Sequence, residues 1–514
     1  MKIINKIGAT LIIAGFVLLA IVPFFNQYKL TDEVLKNNIS NSTHFVVLQP
    51  ALQPLVNKTF NTSFEFASAF DKIFNQLNES YKAKQQWDNV IYSNYTLNVT
   101  KASLYGGVAN NIPLWLLAIL ALIVVGSLLY ISKYLFKQPG IQNDNIFKKS
   151  HSSRGWLGIF IGTGLIIFYI ILYWFPQYIS PYIILVNPIS KILSGGDASQ
   201  WFLYGFMYTV AVLVMGIRMI LKYRHSRYQI IRTLSVMFFQ TAIAFIIPEI
   251  LVSLNKPYFD FKNIWPLNYT FFFDWNINNL TSSGNLGIFM FVWGLILLIV
   301  AVPTFTYFYG KRWYCSWVCG CGGLAETLGD PFRQLSDKSL KAWKFERISV
   351  NSVLVFVTVM TAVTLITYFT NYKILGDATH TLQKYYGFGI GSVFAGVVGT
   401  GFYPLMGNRT WCRFGCPLAT ILGIMQRFKS KFRITTNGGQ CISCGNCSTY
   451  CEMGIDVRWY AQRGENIVRS SCVGCGVCSA VCPRGVLKLE NADEKGRISN
   501  GPIMIGNDGI TLLK

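Results

Sequence analysis

Cysteine is the residue that carries chemistry in this sequence. All 13 cysteines lie between Cys315 and Cys482, and none precedes Cys315. Eight of them form two runs of one spacing, Cys441-x2-Cys444-x2-Cys447-x3-Cys451 and Cys472-x2-Cys475-x2-Cys478-x3-Cys482, the second followed by Pro483. A [4Fe-4S] cube presents four iron corners, each wanting one thiolate. Three closely spaced cysteines wrap three corners, and in two-cluster ferredoxins the fourth ligand comes from the other run. By that rule Cys441, Cys444, Cys447 and Cys482 hold cluster 1, and Cys472, Cys475, Cys478 and Cys451 hold cluster 2. Crossed ligation would make the two halves one folding unit and keep the clusters close enough to exchange electrons. Zinc also accepts four thiolates, but its paired C-x2-C sites supply them two and two, whereas each run here is three plus one. Gly445, Gly474 and Gly476 suit tight loops that bring backbone N–H groups toward cluster sulfurs.

Five thiols remain: Cys315, Cys319 and Cys321, then Cys412 and Cys416 before Pro417. In a helical turn the x3 spacing puts Cys315 and Cys319 on one face, and likewise Cys412 and Cys416. Two such pairs give four convergent thiolates, a candidate third cluster or metal site, with Cys321 as a substitute ligand. A reversible dithiol and inert, small buried residues are the alternatives.

The elements that must position these thiols are membrane helices. A chain of 514 residues, 52% hydrophobic and only 13% charged, is too apolar for one soluble domain. That excludes a disulfide-stapled secreted scaffold, a disordered chain and a soluble enzyme. The expected fold is an α-helical multi-pass membrane protein of about eight transmembrane helices, with a C-terminal α+β, bacterial-type 2[4Fe-4S] ferredoxin domain. Residues 1–25 read as a first transmembrane helix, kept because Ile21 to Phe25 lacks a small-residue cleavage pattern. Residues 26–112 read as an external domain, and 113–407 as a bundle of seven helices with a cytoplasmic cysteine loop at 310–347. Residues 408–514 read as a cytoplasmic ferredoxin-like domain. The seven later runs lie near 113–136, 155–175, 201–221, 233–254, 286–307, 347–369 and 387–406.

An even number of spans puts both termini on one side of the cell membrane. The connectors 137–154, 222–232 and 310–347 carry the basic residues, among them Lys222, Arg224, Arg227 and Arg232, so that side is the cytoplasm. The formal charge of +22 then reflects scarce acids and topology, not a nucleic-acid-binding face. The 26–112 segment carries glycosylation triplets at Asn38, Asn41, Asn57, Asn61, Asn78, Asn94 and Asn98, and a second external loop carries them at Asn268 and Asn279. Phe66, Phe70, Ile73, Phe74, Leu77 and Tyr81 recur at helical spacing, the mark of an amphipathic helix over a small core. The four histidines, His44, His151, His225 and His380, all fall in expected loops, so no in-helix pair is available for a bis-histidine haem. Glu249, about five residues from the external end of its span, is a candidate proton site, with an interfacial or helix-kink role as the alternative. Arg218, near a cytoplasmic helix end, reads as a snorkelling side chain.

The pattern Arg312-Trp-Tyr-Cys315-x3-Cys319, then Arg409-Thr-Trp-Cys412-x3-Cys416-Pro417, then the first cysteine run continued by Met453-Gly454-Ile455-Asp456-Val457-Arg458, resembles the membrane-bound polyferredoxins. These are the NapH-, NosR- and CcoG-like 4Fe-4S binding membrane proteins, and the likeness runs from about Leu286 to Leu489. It implies that the C-x3-C motifs flank membrane helices and that the paired clusters carry electrons on the cytoplasmic side. Two features depart from the pattern. Cys319 is followed by Gly320-Cys321-Gly322-Gly323 in place of proline, and Cys451 by Glu452, at a position that shapes a turn and ligates nothing. The external domain has no counterpart of the NosR flavin-attachment region, so neither flavin nor haem is expected. The expected function is membrane-bound iron-sulfur electron transfer between a soluble cytoplasmic donor and quinone or a membrane redox complex, as an electron-transfer subunit of an oxidoreductase system. The alternative is a copper reductase or assembly factor whose Cys315, Cys319, Cys412 and Cys416 thiols touch the ion. A redox sensor is a third reading, but two clusters arranged as a relay exceed what sensing needs.

Overall fold

The computed structural model describes residues 2–86, 89–91, 95–140, 146–374, 376–491, 503–506 and 509–512. Among these, seven helices are long and apolar enough to cross a membrane: Ile3–Phe24, Gly107–Phe136, Trp156–Trp174, Gln200–Lys222, Arg227–Ser253, Gly284–Tyr309 and Leu340–Phe369. The eighth expected span, 387–406, falls short of that measure. It is helical, wound with π-helical spacing over Gly387–Val398 and then as short α-turns. Six glycines dilute its apolar content, and the backbone turns out at Gly407 with positive φ.

The chain divides into two compact units. One comprises Met1–Phe136 with Ile170–Met207, and the other Lys137–Tyr169 with Tyr208–Lys514. In the first unit, β1 (Gln27–Lys29) is the centre of a three-stranded antiparallel sheet, flanked by β2 (Thr59–Phe60) and β3 (Leu104–Tyr105). The aromatic periodicity forms the helix Ser63–Ala83, capped by the Thr62 hydroxyl, which accepts from the Glu65 N–H. Its Phe66 and Phe70 are buried against Tyr28, Leu35, Leu48 and Val99, with Ile73, Phe74 and Leu77 packed around them.

Of the glycosylation triplets, Asn41, Asn57, Asn61, Asn98 and Asn279 are exposed, and Asn38 and Asn268 half-buried; Asn94 lies outside the described residues. Asn78 is a correction. Its side chain is buried, with Nδ2 donating to the Ile91 carbonyl at 3.0 Å and Oδ1 accepting from the Ile91 N–H at 2.9 Å, so no amide nitrogen is free for a glycan. His44 and His380 lie on the short helices Ser42–Leu52 and Asp377–Tyr386 and not in loops.

In the second unit, the segment expected as a plain external loop around Asn268 folds back into the helices. Trp265 Nε1 donates to Thr361 Oγ1, at 3.1 Å, on the Leu340–Phe369 helix. Ile264 belongs to the same core as Tyr314 and Cys315, and the Tyr314 hydroxyl donates to the Lys262 carbonyl at 3.0 Å. Irregular backbone at such depth is tolerable only when packed inside protein. The apolar side chains Phe259, Phe271, Leu280 and Met290 supply that packing. The cysteine-rich module is framed by β4 (Phe432–Thr436) and β5 (Leu487–Asn491), antiparallel with Phe432 opposite Asn491 and Thr436 opposite Leu487. The tail adds a hairpin of β6 (Ile503–Gly506) and β7 (Gly509–Leu512).

Candidate iron-sulfur and thiol sites

Pairing β4 with β5 brings the end of the second cysteine run back to the start of the first. The two runs then repeat one local geometry. Gly445 and Gly476 take left-handed φ values of 78° and 73°, and each starts a one-turn helix, Asn446–Thr449 or Val477–Ala480. Two residues earlier, Ser443 and Gly474 share φ near +60°. Ser443 tolerates that conformation with its hydroxyl accepting from Gln462 Nε2 at 2.6 Å.

One cavity is lined by Cys441, Cys444, Cys447 and Cys482 among Ile442, Val486 and Leu487. A second is lined by Cys451, Cys472, Cys475 and Cys478 among Ile434, Met453, Ile455 and Val473. Each offers four thiols in an otherwise largely apolar cradle, the donor chemistry that an iron-sulfur cube takes. Burial pushes the Cys447 and Cys472 thiols up to about 11, so thiolates at these places call for a cation beside them. The first cavity is nearer solvent: Cys444 is exposed, whereas no cysteine of the second is.

The second cavity is held by side chains distant in sequence, two of them at the start of the Arg227–Ser253 helix. Tyr228 O–H donates to the Gly474 carbonyl (2.7 Å), Gln229 Nε2 to the Cys475 carbonyl (2.8 Å) and Gln426 Nε2 to the Cys472 carbonyl (2.9 Å). Ser316, next to Cys315, donates to the carbonyl of Val473 at 2.8 Å.

The remaining five thiols share one buried core. Cys315, Cys319, Cys412 and Cys416 lie close enough to perturb one another's ionisation. The expectation of one helical face for each pair is corrected, because the backbone breaks inside both motifs. Cys315 ends the turn Arg312–Cys315 and Cys319 caps the helix Gly320–Thr327; Cys412 sits in Thr410–Phe414 and Cys416 caps Pro417–Lys429. The second cysteine of each motif thus faces helix N–H groups, which favour anionic sulfur. Cys416 Sγ accepts from the Ala419 N–H at 3.4 Å. A hydrogen bond from Cys321, then the Gly322 N–H and the charges of Lys262 and Arg409, pull the Cys319 thiol down, while burial pushes Cys315 up to about 12. Cys321 is therefore a partner of Cys319, and Lys262 arrives from the folded-back segment.

Sequence reasoning missed a buried ion network beside these thiols. Glu326 pairs with Arg232 (2.5 Å), Arg333 (2.9 Å) and Arg409 (2.5 Å). Glu452 pairs with Arg333 (2.6 Å) and Arg409 (2.9 Å), and Asp330 with Arg218, Lys222 and Arg333. Burial alone would raise the Glu326 carboxyl, but its three guanidiniums hold it well below the usual carboxylate range. Arg409 also donates to Cys412 Sγ at 3.6 Å and to the Cys315 carbonyl at 3.1 Å. Carboxylate oxygens of Glu326 and Glu452 lie within 4.8 Å of one another and of Cys475 Sγ. One network therefore touches both the second cavity and the membrane-end thiols. Arg218 is ion-paired to Asp330 and does not snorkel, and Arg232, one of the basic residues of the 222–232 connector, is 1% exposed. The visible signals were Arg409 inside its motif and Glu452 in the place of a proline.

Fold and sites define a class: a multi-pass membrane protein with 4Fe-4S ferredoxin-type domains. A 4Fe-4S dicluster domain family matches residues 440–487, which hold all eight cysteines of the two runs. A second family, described as a 4Fe-4S binding domain, matches residues 290–339 and 388–435, the two segments that carry the other five. The chain is similar to YccM of Escherichia coli (strain K12), a protein named for an inferred role in electron transport. They are 27% identical over 156 residues, which is 29% of this chain and 43% of that relative's length. No solved structure matches the chain. These matches and the motifs support a likeness to the membrane-bound polyferredoxins.

Proposed function

We propose that the protein is a membrane-bound electron relay holding two [4Fe-4S] clusters, cluster 1 on Cys441, Cys444, Cys447 and Cys482, and cluster 2 on Cys472, Cys475, Cys478 and Cys451. The observation that carries this reading is the sorting of the eight cysteines into two four-thiol cavities, each drawing one cysteine from the other run. The clusters supply one-electron carriers, and the chain supplies burial, hydrogen bonds and charge that set their potentials. Electrons enter from a soluble cytoplasmic donor at cluster 1, the more exposed, and pass to cluster 2. From there they reach the buried thiols Cys315, Cys319, Cys412 and Cys416, where a third cluster is held, and leave to quinone or a membrane partner. The match of a 4Fe-4S binding family to both segments bearing these thiols supports the third site. Both termini and all 13 cysteines face the cytoplasm, with the helical 387–406 segment as an eighth crossing. Glycans, where added, sit on the exposed Asn41, Asn57, Asn61, Asn98 and Asn279.

A second reading, reduction of a copper ion for delivery elsewhere, is favoured by the fifth thiol, since Cys321 packs beside the other four and exceeds the needs of one cube. Iron and acid-labile sulfide per chain, with low-temperature EPR on anaerobically purified protein, test the relay. Cys412→Ser with Cys416→Ser should remove about one third of the iron. A colourless or zinc-loaded protein would end the reading. Quinone-dependent oxidation of the reduced clusters in membranes, against their copper(II)-dependent oxidation, separates quinone from copper.

A further inference from the structure

A cavity of about 130 Å³, larger than either four-thiol cradle, lies apart from both. It opens between the first turns of the Leu340–Phe369 membrane helix and the helix Pro417–Lys429. That is on the order of ten times the 10–15 Å³ a single water needs, so it has room for a small polar group. Four cations line it, Lys311, Arg347, Arg413 and Arg427, against one carboxylate, Glu346. Glu346 is already engaged, accepting from Arg413 Nε at 2.9 Å and from the Ser471 hydroxyl. Arg413 is 2% exposed, and its Nη2 is buried with no hydrogen-bond partner among the described residues. A buried guanidinium nitrogen left without an acceptor costs free energy that a bound anion would recover.

The charges are layered. Lys311 and Arg413 are buried, whereas Arg347 and Arg427 are exposed. Apolar side chains of the lining face outward beside these charges: Phe428 is 69% exposed, and Ile424 is also exposed. Cations at the end of a membrane helix beside exposed apolar side chains match a lipid headgroup above its acyl chains. We infer that this cavity binds the phosphate of an anionic phospholipid, with Arg413 and Lys311 beneath the phosphate and Arg347 and Arg427 over it. Nothing in this inference depends on the electron-relay reading or on which side of the membrane the cavity faces. Its position beside Cys412 and Met453 places the bound anion next to the thiol sites.

The test is lipid retention by the full chain released from nanodiscs of equal phosphatidylglycerol and phosphatidylcholine, read by native mass spectrometry. Wild type should keep phosphatidylglycerol in preference to phosphatidylcholine. Arg347→Gln and Arg427→Gln, both exposed and safe for folding, should each lower that retention roughly five-fold. Lys341→Gln with Lys344→Gln, on exposed positions of the same helix outside the cavity, should leave it unchanged. Equal retention of the two lipids, indifference to the arginine changes, or an equal loss with the lysine changes would overturn the proposal. Displacement of the lipid by millimolar inorganic phosphate would show a free-phosphate site instead and overturn the lipid assignment.

Discussion

Replacing Glu326 with glutamine removes one negative charge from the centre of the ion network while preserving shape. Three guanidiniums lie 2.5–2.9 Å from its carboxylate, and two of them, Arg333 and Arg409, would be left with Glu452 as a shared partner. Each pair at about 4 Å is worth about 4 kcal/mol at an effective dielectric of 20. Desolvation offsets much of that, and breaking a buried pair typically costs about 3–5 kcal/mol. Glutamine still accepts a hydrogen bond, so a loss of about 3 kcal/mol is expected, or an apparent unfolding temperature lower by roughly 3 °C for a chain of this length. The same change reaches the redox site, because Glu326 and Glu452 oxygens lie within 4.8 Å of Cys475 Sγ. Taking away an anion within 4.8 Å of Cys475 Sγ would favour the reduced form of a cluster held on that thiol and raise its midpoint. Tryptophan-fluorescence melting in detergent and EPR-monitored redox titration measure the two effects. Loss below about 1 kcal/mol together with an unmoved midpoint would refute the role given to the network.

Other outcomes follow from the same geometry. Gly474 and Gly485 share φ near +63°, but a Cβ on Gly474 would sit 2.5 Å from Arg312 Cβ, whereas one on Gly485 meets open space. Gly485→Ala should cost about 1 kcal/mol and leave iron content intact, while Gly474→Ala should cost about 2–3 kcal/mol and lower cluster 2 occupancy, read by iron analysis. The Glu326 and Asp330 carboxyls are held below their unfolded values, so the stability they give is complete above about pH 4.5 and is lost as pH falls through the folded values. Melting temperature should be flat from pH 7 to 5 and fall below pH 4, less steeply in Glu326→Gln. Arg409→Lys keeps the charge but loses the forked contact to Glu326, Glu452, Cys412 and the Cys315 carbonyl; it should therefore destabilise by about 2 kcal/mol and broaden the EPR signal of any third cluster.

The composition and the runs of apolar residues were enough to place this chain in a membrane, because spanning a bilayer is a matter of length and apolarity along one segment. The two cysteine runs were equally legible, since a cube's ligands come from short, regularly spaced turns. The paired order of Cys451 and Cys482 could be written down from spacing alone, and the β4–β5 pairing explains how the chain ends return to one another. What spacing could not supply were contacts made across the fold. Arg232 looked like a topology charge and Glu452 like a lost proline until residues from four separate segments met in one desolvated network. The 387–406 segment read as one apolar run, but its helix changes winding after Val398 and breaks at Phe402, and the loop near Lys262 came near the Cys319 thiol only by folding back among helices. Local repeats are written in sequence because one segment satisfies them; a buried charge has no sequence signature, because its partner can come from anywhere that the packing brings it.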